Sequence, residues 1–538
     1  MKNYLNFLVL LLCISCENDS NESTELVQVN QATIATHIDR LASDAFLGRK
    51  PFTEGEVLTV NYLKEEFEKL GLLHGNGDSY FQDVPMVEID GTPSKTMVIS
   101  RGNGSFDLEV LKDFVATTNK VETEVSLENS ELVFAGYGIV APEYGWNDYE
   151  GIDWKGKTAV VLINDPGFQS GDSTLFKGNE MTYYGRWTYK YEEAARQGAA
   201  GLIIIHDTEP ASYGWNVIES GWTGARLVIE SDVPLLNVES WVSGESAQKI
   251  LDASAMKGQD YKAIARDKNF NPIPLDLDVS VSIQNKIKKD VSKNVVAMIP
   301  GTDRKDEVII YSAHWDHLGV GKAIDGDSIY NGAVDNASGT AGLLALAEAF
   351  KKGKATKRSI VFIALTGEEQ GLLGSAFYAE NPIFDSKKTV ANINMDALHS
   401  PGKMKDLTIT GYGHSEMDEY AKEAALTQER YIIPDPEAEK GYFFRSDHFN
   451  FAKIGIPALY ASGAYEGFDK SKEEIKAYND FYRINKYHQP SDGYNAETTE
   501  LSGVQLDLQL FFSVGLKLAN EDYFPKWYDG SEFKAARE

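Results

Sequence analysis

The sequence predicts an α/β chain, a mixed sheet flanked by helices with a β-rich unit inserted into it. Three observations predict this class. After Asn294, apolar runs of strand length (308–311, 360–365, 390–394, 458–460) alternate with helical stretches (341–350, 417–426, 506–518), the pattern of a sheet covered on both faces. Between Glu131 and Ile283 the texture changes to short β-rich runs separated by Gly- and aromatic-rich turns. At 538 residues the chain has room for two or three units of roughly 100–200 residues each.

At the start, Lys2 precedes an apolar run over 4–12, too short to span a bilayer but suited to the hydrophobic region of a secretory signal. Cys13-Ile14-Ser15-Cys16 follows and contains both cysteines of the chain, so disulfides do not staple the mature fold. A small residue before a cysteine at the end of such a run resembles a bacterial lipobox. That resemblance implies Cys16 as a lipidated first residue, an exported chain and a lipid anchor in the bacterial cell envelope, on the periplasmic side or the cell surface. Cys13 stands where a lipobox usually has Leu, and an ordinary signal peptide cut nearby is the alternative.

Residues 1–16 are thus expected to be a signal peptide and 17–29, rich in Asn, Ser, Glu and Asp, a solvated tether. Ile34, Ile38 and Leu41, then Val57, Val60, Leu63, Phe67 and Leu70, fall at helical spacing and predict two helices joined at Gly48-Arg49. They open the segment 30–125, the first part of the main domain. The runs 132–135, 159–163 and 202–205 mark the insertion, 126–285; the main domain resumes over 286–525, and 526–538 form a tail.

Composition excludes several classes. With 42% hydrophobic and 25% charged residues the chain is an ordinary globular one. Its 52 Lys+Arg against 81 Asp+Glu leave a net charge of -29, which repels nucleic acid, since that binding rests on basic side chains neutralising phosphates.

The residues that carry chemistry stand where the late strands end. The run 308–311 leads into Ser312-Ala313-His314-Trp315-Asp316-His317, and a His at the carboxyl end of a strand can bind zinc while Asp316 holds its other nitrogen. Asp335, in Gly332-Ala333-Val334-Asp335-Asn336-Ala337-Ser338-Gly339, opens a helical stretch, where an N-cap is the ordinary role. Glu368 and Glu369 follow the run 360–365 and repel each other unless a cation or proton offsets them. Asp396 ends the run 390–394 through Met395, and Tyr487-His488 lies in a polar loop before the last helix. Each has a structural explanation alone; together, successive strand ends deliver only His, Asp and Glu, a donor set for zinc, with one carboxylate bridging if two ions sit side by side.

This ordered series, H-x-D, D-N-x-S-G, E-E, M-D, Y-H, resembles the dizinc exopeptidase clan that includes bacterial leucyl aminopeptidases and glutamate carboxypeptidases. The resemblance implies a phosphorylase/hydrolase-like zinc exopeptidase fold and two Zn2+ per chain. It makes His314, Asp335 and Asp396 ligands of one ion and Asp335, Glu369 and His488 ligands of the other. Glu368 becomes the general base, Asp316 the orienter of His314 and Tyr487 an oxyanion donor. Arg445, Ser446, Asp447 and His448, ahead of Gly455-Ile456-Pro457, match the family's substrate-side loop. The insertion is similar to a protease-associated domain at Gly136-Tyr137-Gly138, Lys155-Gly156-Lys157 and Ala199-Ala200-Gly201.

The function expected is removal of N-terminal residues from peptides, the acidic loop 435–439 favouring a free amine. Arg445 can contact a substrate carboxylate or pair with Glu437 or Glu439. A carboxypeptidase or dipeptidase, a one-zinc glutaminyl cyclase and a noncatalytic receptor-like binding lipoprotein are the alternatives. Residue preference and oligomeric state are not set by these motifs.

Overall fold

The computed structural model describes residues 26–231 and 233–538. The signal peptide, Cys16 and the tether up to residue 25 lie outside the described residues.

The main domain is a mixed sheet between helical layers. Arg304–His314 lies between Arg358–Leu365 and Thr389–Asn394, parallel to both, and Ala458–Ser462 adds parallel to Thr389–Asn394. On the other flank Arg358–Leu365 pairs antiparallel with the end of the strand Ile273–Ile299. Side chains alternate between faces along each strand. Ile309, Tyr311 and Ala313 pack with Phe362 under helices Gly339–Lys352 and Ser502–Asn520, while Val308, Ile310 and Ile363 pack on the opposite side with Tyr378 and Phe451. Burial on both faces is why these strands read as unbroken apolar runs rather than alternating ones.

Helices Gln31–Leu41 and Glu54–Lys69 add to the first layer through Ile34, Ile38, Leu63 and Phe67. Full burial of a side chain such as Leu63 or Phe67 stabilises the layer by about 1.5–3 kcal/mol. Val57, which shares the apolar spacing, is instead 56% exposed.

The inserted unit is built around parallel strands. Glu124–Phe134, Thr158–Leu162, Gly201–Ile205 and Val238–Val242 lie side by side, and helix Trp187–Arg196 precedes the third of them. The strands Thr96–Arg101, Gly104–Glu109 and Phe114–Thr117 also belong to this sheet, through pairings with Ile273–Ile299, with each other and with Val238–Val242. The sequence boundary at residue 126 leaves them outside the unit: the hairpin Thr96–Arg101/Gly104–Glu109 is half-exposed, and the buried Phe114–Thr117 is only four residues long. The boundary at residue 285 falls inside one strand, Ile273–Ile299, which pairs with Phe81–Pro93 over thirteen positions and runs from one sheet into the other. The segment expected as a tail is packed: Trp527 and Phe533 are buried with Phe443 and Phe449, and the Trp527 indole N–H donates to the Gly455 carbonyl.

Candidate metal centre and active site

The site forms where three parallel strands end together. The His314 imidazole closes Arg304–His314, opposite Leu365, and Thr389–Asn394 delivers Asp396 two residues beyond its last position. His314 Nε2 lies 3.2 Å from Asp335 Oδ1 and 3.2 Å from Asp396 Oδ1. His488 Nε2 lies 3.2 Å from Asp335 Oδ2 and 3.1 Å from Glu369 Oε2. Asp335 therefore turns its two oxygens to different imidazoles.

Among the described residues, two triads could hold a metal, each with its three ligand atoms within 4.8 Å of one another: His314 with Asp335 and Asp396, and His317 with Asp335 and Glu369. His317 received no role from the sequence, yet its Nδ1 is 2.5 Å from Glu369 Oε1. The available signal was a second imidazole three residues after the first on the same strand-end loop.

Asp335 is not an N-cap. The α-helix begins four residues later, at Gly339, with Ser338 and not Asp335 at its N-cap position. The backbone N–H groups of Val334 and Asp335 donate to the Asp492 carboxylate. Asn336 ties this loop to the next ligand: its Nδ2 donates to Met395 O, and its Oδ1 accepts from Gly339 N and Ala397 N. Asp492 and Asn336 thus hold the spacing between Asp335 and Asp396, a role that no local pattern announces.

Arg49, fully buried, spends its guanidinium on four carbonyls, those of Trp315, Leu41, Asn331 and Gly332. It clamps the loop carrying His317 to the loop before Asp335. At the adjacent Gly48 (φ +65) a Cβ would meet Gly319 O and Tyr330 O at 2.6 Å, so the chain approaches the hairpin Gly319–Ile324/Asp327–Tyr330 as only glycine allows.

Glu368 stands on a turn entered through Gly367 at φ +64. Its backbone N–H donates to Asp316 Oδ1, and its carboxylate is 3.9 Å from His314 Nε2. His314 Nδ1 lies 3.1 Å from the Asp316 backbone oxygen and 3.7 Å from its carboxylate, so the main chain rather than the carboxylate makes the orienting contact. Burial drives the Glu368 carboxyl well above its usual range. Burial pulls the His314 and His488 imidazoles down, but the carboxylates around them outweigh it: Glu368 and Asp396 lift His314, and Asp335 and Glu369 carry His488 up to about 10. Tyr487 stacks on His488 with ring centres 3.9 Å apart.

Ser446, Asp447 and His448 do not stand as a substrate-facing row. Ser446 Oγ donates to Asp396 Oδ2 at 2.6 Å and accepts from Asn394 Nδ2, fixing a carboxylate of the first triad. Asp447 is fully buried and accepts from Ser375; burial pushes it up to about 7. His448 is also fully buried, between the rings of Phe443 and Tyr460, with neither ring nitrogen hydrogen-bonded. Their alternation around a short helix start, His448–Lys453, turns them inward. Arg445 pairs with neither Glu437 nor Glu439: it donates to Lys440 O and lies over the Tyr442 ring, and Glu437 is taken by Lys440.

Dications fit this donor set. Asp316, Asp335, Glu369 and Asp447 are almost wholly enclosed, and among the described residues no Lys or Arg forms an ion pair with any of them. Asp316 Oδ2 and His317 Nε2 are buried without a hydrogen-bond partner. Uncompensated buried carboxylates are costly, and divalent ions supply the missing charge with the geometry that His and carboxylate ligands favour.

A family model, Peptidase family M28, matches residues 294–509, which include every residue of both triads. The chain is 29% identical to Leucine aminopeptidase 2 of Trichophyton rubrum over 291 residues, 52% of this chain and 54% of that protein. It is 35% identical to Aminopeptidase NAALADL1 of Mus musculus over 147 residues, 26% of this chain and 18% of that protein. The chain thus spans about half or less of the length of these curated relatives. Among solved structures, an aminopeptidase from Aneurinibacillus sp. strain AM-1 covers 92% of this chain and 96% of its own, at 19% identity and a TM-score of 0.48.

Proposed function

From the Peptidase M28 domain that residues 294–509 form, we propose that this chain is a zinc-dependent exopeptidase, an aminopeptidase that releases N-terminal residues from peptides. One observation carries the reading: Asp335 is shared between two His/carboxylate triads, its oxygens divided between His314 and His488. His314, Asp335 and Asp396 would hold one zinc; Asp335, Glu369 and His488 would hold the second, with His317 in reach of the same carboxylates. When bound, such ions supply Lewis acidity towards water and a peptide carbonyl at neutral pH.

The chain's own residues supply the rest. Glu368, unligated, takes a proton from the attacking water and returns it to the leaving amine. Asp316 holds the Glu368 backbone, and Ser446 holds Asp396. Tyr487, stacked on His488, is the oxyanion donor of this reading. Both curated relatives named above are aminopeptidases by name, which supports a free amine as the recognised group. Export and lipid attachment at Cys16 complete the proposal, supported by the sequence alone, as does a protease-associated identity for the inserted unit.

A dipeptidase or carboxypeptidase is the second reading, favoured by Arg186 and Arg445. The two guanidiniums repel each other, each has a buried Nε without a partner, and burial, then Arg445, pulls Arg186 down to about 10. A substrate carboxylate would relieve them.

The test is metal analysis together with hydrolysis of peptides blocked at one end. Two zinc equivalents and chelator-sensitive cleavage of C-terminally amidated peptides with free amines support the aminopeptidase. Cleavage that requires a free C-terminal acid moves the assignment to the second reading. One zinc with cyclisation of N-terminal glutamine moves it to a cyclase, and no metal with no turnover sinks both peptidase readings.

A further inference from the structure

A cavity of about 210 Å³ opens in the inserted unit, beyond the carboxyl ends of the parallel strands Thr158–Leu162 and Gly201–Ile205, where open parallel sheets hold their ligands. Leu162, Phe168 and Ile205 give it an apolar wall. Arg266 lines it as a cation without a counterion: one nitrogen donates to Phe168 O at 3.2 Å, and Nε is buried with no partner. Among the described residues no carboxylate forms an ion pair with it. Lys262, close enough to feel Arg266, is paired with Asp207. Asp165 is spent on Gly167 N and on Thr182 N and Oγ1. Glu209, exposed at the rim, accepts one bond from Gln169.

We propose that this cavity binds a free α-amino acid with an apolar side chain. Its carboxylate answers Arg266, its ammonium answers Glu209, and its side chain lies on Phe168 and Ile205. A simple anion leaves the apolar wall unused and meets Glu209; a simple cation meets Arg266. The volume, about 210 Å³, lies below the roughly 300–1,000 Å³ of pockets for drug-sized ligands, which suits one residue. That this ligand is also the released product rests on the exopeptidase reading; the binding does not.

Calorimetric titration of the full chain, stripped of metal by chelator so that the catalytic site offers no ions, tests it with leucine, 3-methylbutylamine and 4-methylpentanoate. One saturable leucine site is expected, with both truncated analogues about tenfold weaker or worse, since each loses a charge-assisted contact. Arg266→Gln should weaken leucine by about tenfold, and Glu209→Gln, on an exposed side chain that leaves the fold intact, by severalfold. Hydrolysis by the zinc-loaded variants at low free leucine should match the unsubstituted chain. No saturable binding up to about 10 mM, equal leucine affinity in the unsubstituted chain and in a folded Arg266→Gln, or 4-methylpentanoate binding as tightly as leucine would overturn the proposal. Binding without any peptide hydrolysis would leave this site standing and remove the exopeptidase reading instead.

Discussion

At the scale of single residues, adjacent carboxylates stand in different surroundings. Glu368 and Glu369 are neighbours in the chain, but Glu369 accepts contacts from His317 and His488 while Glu368 touches no imidazole closer than 3.9 Å. In the proposed reading one holds metal and the other is free to move a proton. Glu368→Gln should keep the zinc content and lower kcat by about 10²–10⁴-fold, the usual worth of a general base. Elemental analysis beside single-turnover kinetics on an aminoacyl anilide checks this, and substantial residual turnover would remove Glu368 from the role. Arg49 is the opposite case, a residue that touches no reacting group. Its four carbonyl contacts predict that Arg49→Met destabilises the fold by about 3 kcal/mol or more, since buried hydrogen bonds to a charged group are lost and their acceptors left unpaired. Zinc affinity should fall by about 10–100-fold as the ligand loops loosen; denaturant unfolding and competitive metal titration measure the two effects separately.

At the scale of elements, the candidate ligands converge because parallel strands end in register. His314 is level with Leu365, and Ser312 with Asn394, so the loops after these strands start from one edge. Underneath, a polar chain crosses the sheet: Asn392 Nδ2 donates to Ser312 Oγ, Ser312 Oγ to Asn394 Oδ1, and Asn394 Nδ2 to Ser446 Oγ, which reaches Asp396. Ser446→Ala should therefore lower metal affinity rather than act as the loss of a substrate contact. A raised zinc dissociation constant with unchanged KM at saturating zinc is the expected result. Gly48 belongs to this scale too. Gly48→Ala meets two carbonyl oxygens at 2.6 Å from the hairpin Gly319–Ile324/Asp327–Tyr330 and occupies a left-handed backbone, a cost of about 1–3 kcal/mol that a thermal melt reads directly.

At the scale of the whole molecule, the two sheets are joined by the ribbon of Phe81–Pro93 and Ile273–Ile299 and by packing across the junction. Tyr183 meets Phe444 and Phe449, and a Cβ at Gly441 would strike Met181. His414 sits in this junction with Lys177 of the inserted unit and Glu532 of the C-terminal segment. Burial lowers its imidazole, Glu532 opposes and Lys177 assists, leaving it at about 4 against the ordinary 6.5. The folded state then binds fewer protons than the unfolded one, so this group's stability is present above pH 6.5 and is lost as pH falls towards 4. Its contribution is at most about 3 kcal/mol over that window. His414→Phe, which keeps the ring against Phe443 and Phe533, should flatten that part of the stability–pH curve; an unchanged slope would contradict the assignment. Among the described residues no helix is long and apolar enough to cross a membrane.

The sequence by itself determined the α/β class and nominated His314, Asp335, Glu368, Glu369, Asp396 and His488 as candidates. It could do so because both-face burial writes apolar runs into the chain, and a strand's end marks where a polar residue can stand without a partner in the core. Folding decided which atoms meet. It brought His317 to Glu369, set Arg49 and Asp492 behind loops 282 and 157 residues away, turned Asp447 and His448 inward and ran one strand through an expected domain boundary. Such contacts depend on register and long-range packing, in which partners distant in the chain become neighbours in space, and no spacing along the chain encodes them.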